Sequence, residues 1–106
     1  MSRSYRRFEI LLPLRFNDGR DVPDEIIAQT LEELQDRFGA VSCESQTIRG
    51  MWRHEGQTYR DESVRVFVDV LDDPASLAFF RDFKERLKSR FGQIDIWMTT
   101  YPVEVF

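Results

Sequence analysis

Two of the residue types that most often carry out reactions occur only once each in this sequence. His54 lies in a predicted turn with no serine or cysteine nucleophile near it, and a single histidine makes a poor metal site. Cys43 can form no disulfide within the chain, and the pattern around it predicts a small core residue rather than a reactive thiol. Neither residue therefore predicts a catalytic site.

Three aspartates, Asp69, Asp72 and Asp73, are close enough in the sequence to suggest a metal site. Asp73 precedes Pro74 and is expected to cap a helix, Asp72 belongs to the adjoining turn, and Asp69 lies alone on a strand. The sequence contains no Asp-x-Asp-x-Asp-Gly calcium loop and no glycine-rich phosphate loop. We therefore expect no metal and no cofactor.

The composition is that of one folded domain. The chain has 106 residues, of which 42% are hydrophobic, which is enough for a packed core. Its net charge of −4 and its pI of about 5.0 argue against a general affinity for nucleic acid or for anionic membranes. A basic arm at 1–7 precedes an apolar run that Pro13 and Arg15 interrupt, too short for a leader peptide or a membrane span. We expect a cytoplasmic protein.

Hydrophobic periodicity divides the chain into strands and helices. Apolar residues at every second position predict strands, and spacings of three and four predict helices that end at Gly39 and Gly92. In chain order we predict a strand at 8–16, a helix at 23–38, a hairpin with strands at 41–53 and 58–71, a helix at 74–91, a strand at 94–101 and a tail at 102–106.

This order predicts an α+β domain with the ferredoxin-like split βαβ fold, a four-stranded antiparallel sheet with two helices on one face. A weak internal repeat supports it, because residues 34–41 and 87–94 share the pattern Leu-x-x-Arg-Phe-Gly-x-aliphatic. The first strand is central in this fold, and proline cannot donate a hydrogen bond there. We expect either a bulge at Pro13 or the end of regular pairing near Leu12.

The predicted hairpin has a two-residue turn, Glu55-Gly56, at its tip. That turn sets a register in which the residue numbers of each opposed pair have a constant sum. The register pairs Trp52 with Tyr59, Arg49 with Glu62, Cys43 with Val68 and Val41 with Val70, unless a β-bulge shifts it.

The two helices carry opposite net charge, so we expect their exposed flanks to pair; the alternative is that the basic second helix binds an acidic partner.

Both helices cover the same side of this fold, and we call the other side of the sheet the open face. The period of two assigns many apolar residues to it, namely Leu11, Ile48, Trp52, Tyr59, Phe67, Leu71, Trp97 and Tyr101, with Glu9, Arg15, Arg65, Asp69 and Asp95 among them. An exposed apolar patch of this size marks an interface or a ligand groove. Its cover could be a second copy, giving a dimeric α+β barrel that holds a small apolar ligand, a different protein, or the tail at 102–106.

We favour a non-catalytic binding module that forms a homodimer through the open face. The contact surface is expected to consist of Trp52, Tyr59, Phe67, Trp97 and Tyr101, with Arg65 and Asp69 setting the register or contacting a polar ligand. The alternative is an enzyme of the dimeric α+β barrel type with a small apolar or aromatic substrate, for which Asp69, Asp95 and Glu9 are the only outward acids. RNA binding is less favoured, because the third strand has one outward aromatic and the net charge is negative.

Three segments resemble a family of small bacterial proteins of unknown function. They are Arg49-Gly50-x-Trp52, Tyr59-x-Asp61-Glu62 and Lys88-x-Arg90-Phe91-Gly92-Gln93-Ile94-Asp95-Ile96-Trp97. The resemblance extends from about Phe8 to the last residue. It implies the βαββαβ order, and it implies no activity and no catalytic residue.

Overall fold

The computed structural model describes residues 4–106. In it, the two helices pack on one face of an antiparallel sheet. The sheet order is β2-β4-β1-β5, and β3 also pairs with β4. The elements are β1 (Tyr5–Pro13), α1 (Asp24–Phe38), β2 (Ser42–Cys43), β3 (Ile48–His54), β4 (Gln57–Leu71), α2 (Pro74–Arg90) and β5 (Met98–Val103). The predicted α+β ferredoxin-like fold is confirmed, except that the first arm of the hairpin is divided into β2 and β3.

The helix ends lie within one residue of the predicted ones: α1 begins at Asp24 rather than at Pro23, and α2 ends at Arg90 with Phe91 as its cap. Pro23 precedes α1 in an extended conformation, and Gly39 closes α1 with a φ of 88°, a left-handed conformation that glycine adopts without strain. The Asp73 carboxylate accepts a hydrogen bond of 2.8 Å from the Ser76 backbone N–H, and Pro74 follows as the first helical residue.

The core lies between the helices and the inner side of the sheet. Alternate residues of β1 and β4, including Ile10, Leu12 and Val66, are buried in one cluster with residues of both helices. The Phe8 and Phe80 rings stack with centroids 3.9 Å apart. This packing fixes which side of each strand faces the helices, and it leaves the alternate residues on the open face.

The two helices are joined by ion pairs of the kind that their opposite charges predict. Glu33 of α1 pairs with Arg86 and with Arg90 of α2, the latter at 2.8 Å. Arg90 also donates to the Thr30 hydroxyl at 3.1 Å, and Thr30 is completely buried. The flanks of α1 and α2 therefore contact each other directly.

β1 ends at Pro13, three residues before the end that was predicted. Pro13 lies opposite Ser63 of β4, and the next residue still donates a backbone hydrogen bond to Glu62 before the chain turns away. Because proline has no N–H to continue the ladder, regular pairing stops here rather than passing through a bulge. At its other end β1 includes Tyr5–Arg7, residues that the sequence pattern assigned to a basic arm.

The β3–β4 hairpin has the predicted turn and register near its tip. Glu55 and Gly56 have φ values of 50° and 78°, as a type I′ turn requires, and Trp52 lies opposite Tyr59. Beyond Ile48 the register changes by two, because the segment 44–47 contains two residues that have no counterparts on β4.

That change corrects two of the predicted pairs. Cys43 lies opposite Val66 rather than Val68, and Val41 is outside β2 and does not pair with Val70. Cys43 is also exposed at the sheet edge instead of being a core residue.

β5 begins at Met98 rather than at Ile94, and it continues through Pro102 to Val103. Pro102 is tolerated because β5 is an edge strand, where one side of the backbone needs no partner. The predicted tail is therefore shorter by two residues. Among residues 4–106, no helix is both long and apolar enough to cross a membrane.

Candidate interaction surface

The centre of the open face is a group of polar and charged side chains around one aromatic ring. Neighbouring strands bring them together, because Arg7 of β1 lies opposite both Asp69 of β4 and Tyr101 of β5, while Glu9 lies opposite Phe67. Arg65 lies on β4, two residues before Phe67. The sheet register thus brings residues from distant parts of the chain into contact.

Arginine–carboxylate pairs order this group. Arg7 donates two hydrogen bonds, of 2.7 and 2.9 Å, to the two carboxylate oxygens of Asp69. Arg65 pairs with Glu9 and with Glu44. The Tyr101 hydroxyl donates a hydrogen bond of 2.8 Å to Glu9. Both hydrogen bonds of the Arg7–Asp69 pair are charge-assisted, and their bidentate geometry also fixes the relative orientation of the two side chains.

Phe67 is covered by two of these arginines. The guanidinium carbons of Arg7 and Arg65 each lie 4.6 Å from the centroid of the Phe67 ring. Such cation–π contacts stabilise a partly exposed pair by about 0.5–1 kcal/mol each. Phe67 is therefore part of an ordered polar group, and its ring is less available to a partner than the sequence pattern suggested.

The charges of this group are fixed in the ionised state at neutral pH. The hydrogen bond from Arg65 lowers the pKa of Glu9, although desolvation opposes it. The hydrogen bonds from Arg7 likewise lower the pKa of Asp69 against desolvation. A carboxylate that acts as a general acid near neutral pH needs a raised pKa, so neither Glu9 nor Asp69 is suited to that role.

The exposed aromatic surface lies around this group rather than at its centre. Trp97, just before β5, is 66% exposed, and Tyr101 is 40% exposed. Trp52 and Tyr59 stack on each other with centroids 4.7 Å apart. Trp52 and Trp97 also border a small cleft on the open face. The predicted site residues on β3, β4 and β5 therefore lie on one side of the sheet, the open face. Trp97, which lies just outside β5, is next to them.

Two residues that the period of two assigned to the open face lie elsewhere. Asp95 precedes β5 and forms an ion pair of 3.2 Å with Lys84 of α2, so it is directed toward the helices. Arg15 lies beyond the end of β1 and forms an exposed pair of 3.4 Å with Asp21. Both errors arise because the strands are shorter at these ends than the pattern predicted.

Two residues of the central group were missed by the sequence pattern. Arg7 was assigned to an arm, although the alternation of Arg7, Glu9 and Leu11 could have extended the strand backward. Glu44 lies in the segment where the register changes, so no regular pattern could place it beside Arg65.

A larger cleft lies next to the two-stranded end of the hairpin. We call the part of the hairpin beyond the end of β1, residues 48–54 of β3 and 57–62 of β4, the ribbon. The cleft has a volume of about 850 Å³ and is bordered by the ribbon, by the 15–19 loop and by Gln93. Within residues 4–106, no group of histidine, cysteine, aspartate or glutamate side chains is arranged to hold a metal ion.

Comparison with solved structures identifies the class of fold. The chain is similar to the divalent cation tolerance protein CutA1 of Thermus thermophilus, with a TM-score of 0.65, 14% identity, and coverage of 96% of this chain and 86% of that one. The CutA1 of Oryza sativa gives a TM-score of 0.66 at 9% identity, over 99% of this chain and 84% of that one. The chain therefore has a CutA1-like variant of the ferredoxin-like fold.

An enzyme has a similar fold. A phage SAM lyase in complex with S-methyl-5′-thioadenosine gives a TM-score of 0.69 at 14% identity, over 99% of this chain and 93% of that one. No family model matches the chain, and no curated protein matches it. These likenesses establish the fold alone, and the resemblance to a family of small bacterial proteins stays a prediction.

Proposed function

We propose that this protein is a non-catalytic binding module that associates with a second copy of itself through the open face. The observation that carries the proposal is the exposure of Trp97 and Tyr101 on a side of the sheet that no helix covers. Tryptophan, tyrosine and arginine are the residues most enriched at the centres of protein interfaces. The proposal places the protein in the bacterial cytoplasm.

The polar group at the centre of the open face supports this role. Arg7–Asp69 and Arg65–Glu9 are already paired within one molecule, so covering them does not leave an unpaired charge. Their fixed geometry provides a rigid surface, which reduces the entropy lost on association. The surrounding aromatic side chains supply the apolar contact area.

The other two candidates for what covers the open face, the C-terminal tail and a different protein, are less well supported. The last residues of the chain do not fold back onto it, because Val105 is 56% exposed and Phe106 is fully exposed. A different protein could use the same aromatic side chains, and the association experiment below distinguishes it. A small apolar ligand between two copies would be detected as added mass.

The alternative function is an enzyme of the dimeric α+β barrel type. The SAM lyase with a similar fold shows that this architecture can carry catalysis. Against it, Glu9 and Asp69 have lowered pKa values and are occupied by arginines, and Asp95 pairs with Lys84. RNA binding is also less favoured, because two arginines already cover the Phe67 ring on which a base would stack.

The test is the mass of the untagged protein and its variants in native mass spectrometry and in sedimentation at about 1–100 µM, a range typical of weak to moderate dimers, roughly −8 to −5 kcal/mol. We expect a dimer for the unchanged chain and a folded monomer for Trp97→Ala. Met51→Ala is the matched control, because Met51 is 72% exposed but belongs to the opposite side of the ribbon.

Phe67→Ala is a poorer probe, because it would disturb Arg7 and Arg65 as well as the surface. Circular dichroism should confirm that each variant is folded. A monomer at every concentration, or a dimer that Trp97→Ala leaves unchanged, would contradict the proposal. A one-to-one complex with another protein would replace it.

A further inference from the structure

The small cleft that Trp52 and Trp97 border is built from side chains on one side of the sheet. The strand residues that line it all alternate onto the open face, and they are Leu11, Pro13, Trp52, Asp61 and Ser63. Gln93 and residues 95–97 border the rest of it. Its volume is about 50 Å³, and because roughly 10–15 Å³ holds one water molecule, the cleft has room for a head group of a few heavy atoms.

A nearly buried hydroxyl group in this cleft has no partner within the chain. Ser63 is only 5% exposed, and its Oγ forms no hydrogen bond with any residue of 4–106. No fully enclosed side-chain oxygen or nitrogen of the described residues lacks a partner, so the Ser63 Oγ is accessible from the cleft. Buried polar atoms in native proteins nearly always have a hydrogen-bond partner, and the partner of this one must come from the cleft.

The other polar groups that border the cleft present acceptors. Asp61 accepts the hydrogen bond of 3.1 Å from Trp52 through Oδ2, which leaves its Oδ1 available. Gln93 donates both protons of its amide nitrogen, to the backbone oxygens of Arg15 and Phe91 at 2.8 and 3.0 Å, so its amide oxygen is available as an acceptor. A ligand that donates several N–H groups matches this set.

The charge of the cleft favours a cation. Among residues 4–106, no arginine, lysine or histidine borders it, and Asp61 belongs to no ion pair. Asp95 also borders the cleft, but its charge is balanced by Lys84 at 3.2 Å. Trp52 and Trp97 add to the attraction, because the indole ring is the aromatic ring that attracts cations most strongly.

From these features we infer that the small cleft binds the head group of a small organic cation with N–H donors, of the guanidinium or primary-ammonium class. The N–H groups donate to Asp61, Ser63 and Gln93, and the positive charge lies beside the two indoles. A quaternary ammonium group fits less well, because it would leave these acceptors without partners.

This inference deepens the proposed function, and it rests on that function only in using the same open face. All of the residues that line the cleft belong to one copy, so the site does not need the dimer to be complete. It concerns binding and involves no reaction.

The experiment is a titration of the full ¹⁵N-labelled chain with methylguanidinium at constant ionic strength, followed by two-dimensional NMR. The chain has two tryptophans, so its two indole N–H signals report on the two aromatic sides of the cleft. We expect both signals to shift and to saturate. N-methylurea, which is planar but neutral, and tetramethylammonium, which has no N–H, should each bind at least about tenfold more weakly.

Three variants test the assigned contacts. Asp61→Asn keeps an oxygen for Trp52 but removes the charge, and it should weaken binding about tenfold. Glu62→Gln is the matched control, because Glu62 is the adjacent acid on the opposite side of the ribbon and does not border this cleft. Ser63→Ala should weaken binding while leaving the Tm of the ligand-free protein unchanged or higher, because the hydroxyl has no partner to lose.

Four results would overturn the inference. They are the absence of a saturable shift at about 50 mM methylguanidinium, equal affinity for N-methylurea or tetramethylammonium, an equal loss in Glu62→Gln, and a lower Tm in Ser63→Ala.

Mass measurements on the same samples separate this inference from the proposed function. A dimer that does not bind methylguanidinium contradicts the inference alone, whereas a permanent monomer that binds it contradicts the proposed function alone. Methylguanidinium that dissociates the dimer would mean that the second copy itself fills the cleft, and the assignment to a small molecule would then be wrong.

Discussion

Glu33 joins the charged flanks of the two helices through two ion pairs. It accepts hydrogen bonds from both Arg86 and Arg90, and it is partly buried between α1 and α2. Desolvation raises the pKa of this carboxyl, but the hydrogen bonds from the two arginines outweigh it, so the pKa is lowered overall. A group with a lowered pKa in the folded protein stabilises the fold above its unfolded pKa and loses that effect as the pH falls through the folded pKa.

We therefore predict that Glu33→Gln destabilises the protein at pH 7 by about 1–2 kcal/mol, a fall in Tm of roughly 4–16 °C. The difference from the unchanged protein should begin to shrink as the pH falls below the ordinary glutamate value of 4.5, where the unfolded chain takes up the proton first. It should be smallest below the lowered pKa of the folded protein, where Glu33 is protonated in both states. Thermal unfolding between neutral pH and strongly acidic pH measures this. Glu32→Gln, an exposed neighbour, serves as the control. An equal Tm difference at both extremes would contradict the prediction.

For the central group of the open face, the sequence predicted the side of the sheet on which residues lie but not the contacts between them. Arg65, Phe67 and Asp69 were assigned to the correct side of the sheet because β4 alternates without interruption. Their partners were harder to predict, since a contact between Arg7 and Asp69 depends on the register between β1 and β4, which are not joined by a hairpin. Sequence patterns thus identify faces, whereas tertiary register determines pairs.

Among the elements, the ribbon has the most specific local structure. Gly50 lies opposite Asp61, whose carboxylate lies against the Gly50 backbone and accepts the hydrogen bond from Trp52. A Cβ at position 50 would lie 2.7 Å from the Asp61 Oδ1 oxygen, closer than any stable contact. The absence of a side chain at Gly50 thus lets the Asp61 carboxylate keep the position from which it accepts the hydrogen bond of Trp52.

We predict that Gly50→Ala displaces the Asp61 carboxylate and releases the Trp52 indole. Loss of one neutral-to-charged hydrogen bond costs about 1.5–3 kcal/mol when the groups are buried, and less in this exposed ribbon. The emission of Trp52 in a Trp97→Phe background should shift, and that shift is the measurement. In an Asp61→Ala background the same change at position 50 should have little further effect, because the clashing oxygen is gone. Additive effects in the double variant would refute the explanation.

The elements were predictable where short-range signals define them. Helix caps at Asp73 and Gly39 and the turn at Glu55-Gly56 depend on a few adjacent residues, and all three were predicted correctly. The division of the hairpin arm into β2 and β3 was not, because nothing in the 44–47 segment marks which residues lack a partner. The start of β5 was misplaced because Ile96 is buried although it lies outside the strand.

At the scale of the whole molecule, the ribbon stands out from an otherwise well-packed domain. The molecule measures 49 × 30 × 25 Å, and the 15 residues of β4, at about 3.3 Å each, span this length. Beyond β1, the Leu14 backbone N–H still donates to Glu62, and past that hydrogen bond only β3 pairs with β4 in the described structure, so most of both outer edges of the ribbon is unpaired. An isolated two-stranded hairpin is marginally stable in water, which suggests that the ribbon gains stability from association.

Hydrogen exchange tests this link between the ribbon and self-association. At concentrations where the protein is a monomer, we predict that the amides of Ile48–His54 exchange much faster than those of Val66 and Val68, which belong to the buried part of β4. At concentrations where it is a dimer, the ribbon carrying Trp52 and Tyr59 should become protected, while the core amides change little. Trp97→Ala should keep the ribbon exchanging rapidly at both concentrations. A ribbon that is equally protected in the monomer would mean that it is stable by itself, and a dimer that leaves it unprotected would confine the interface to the centre of the open face.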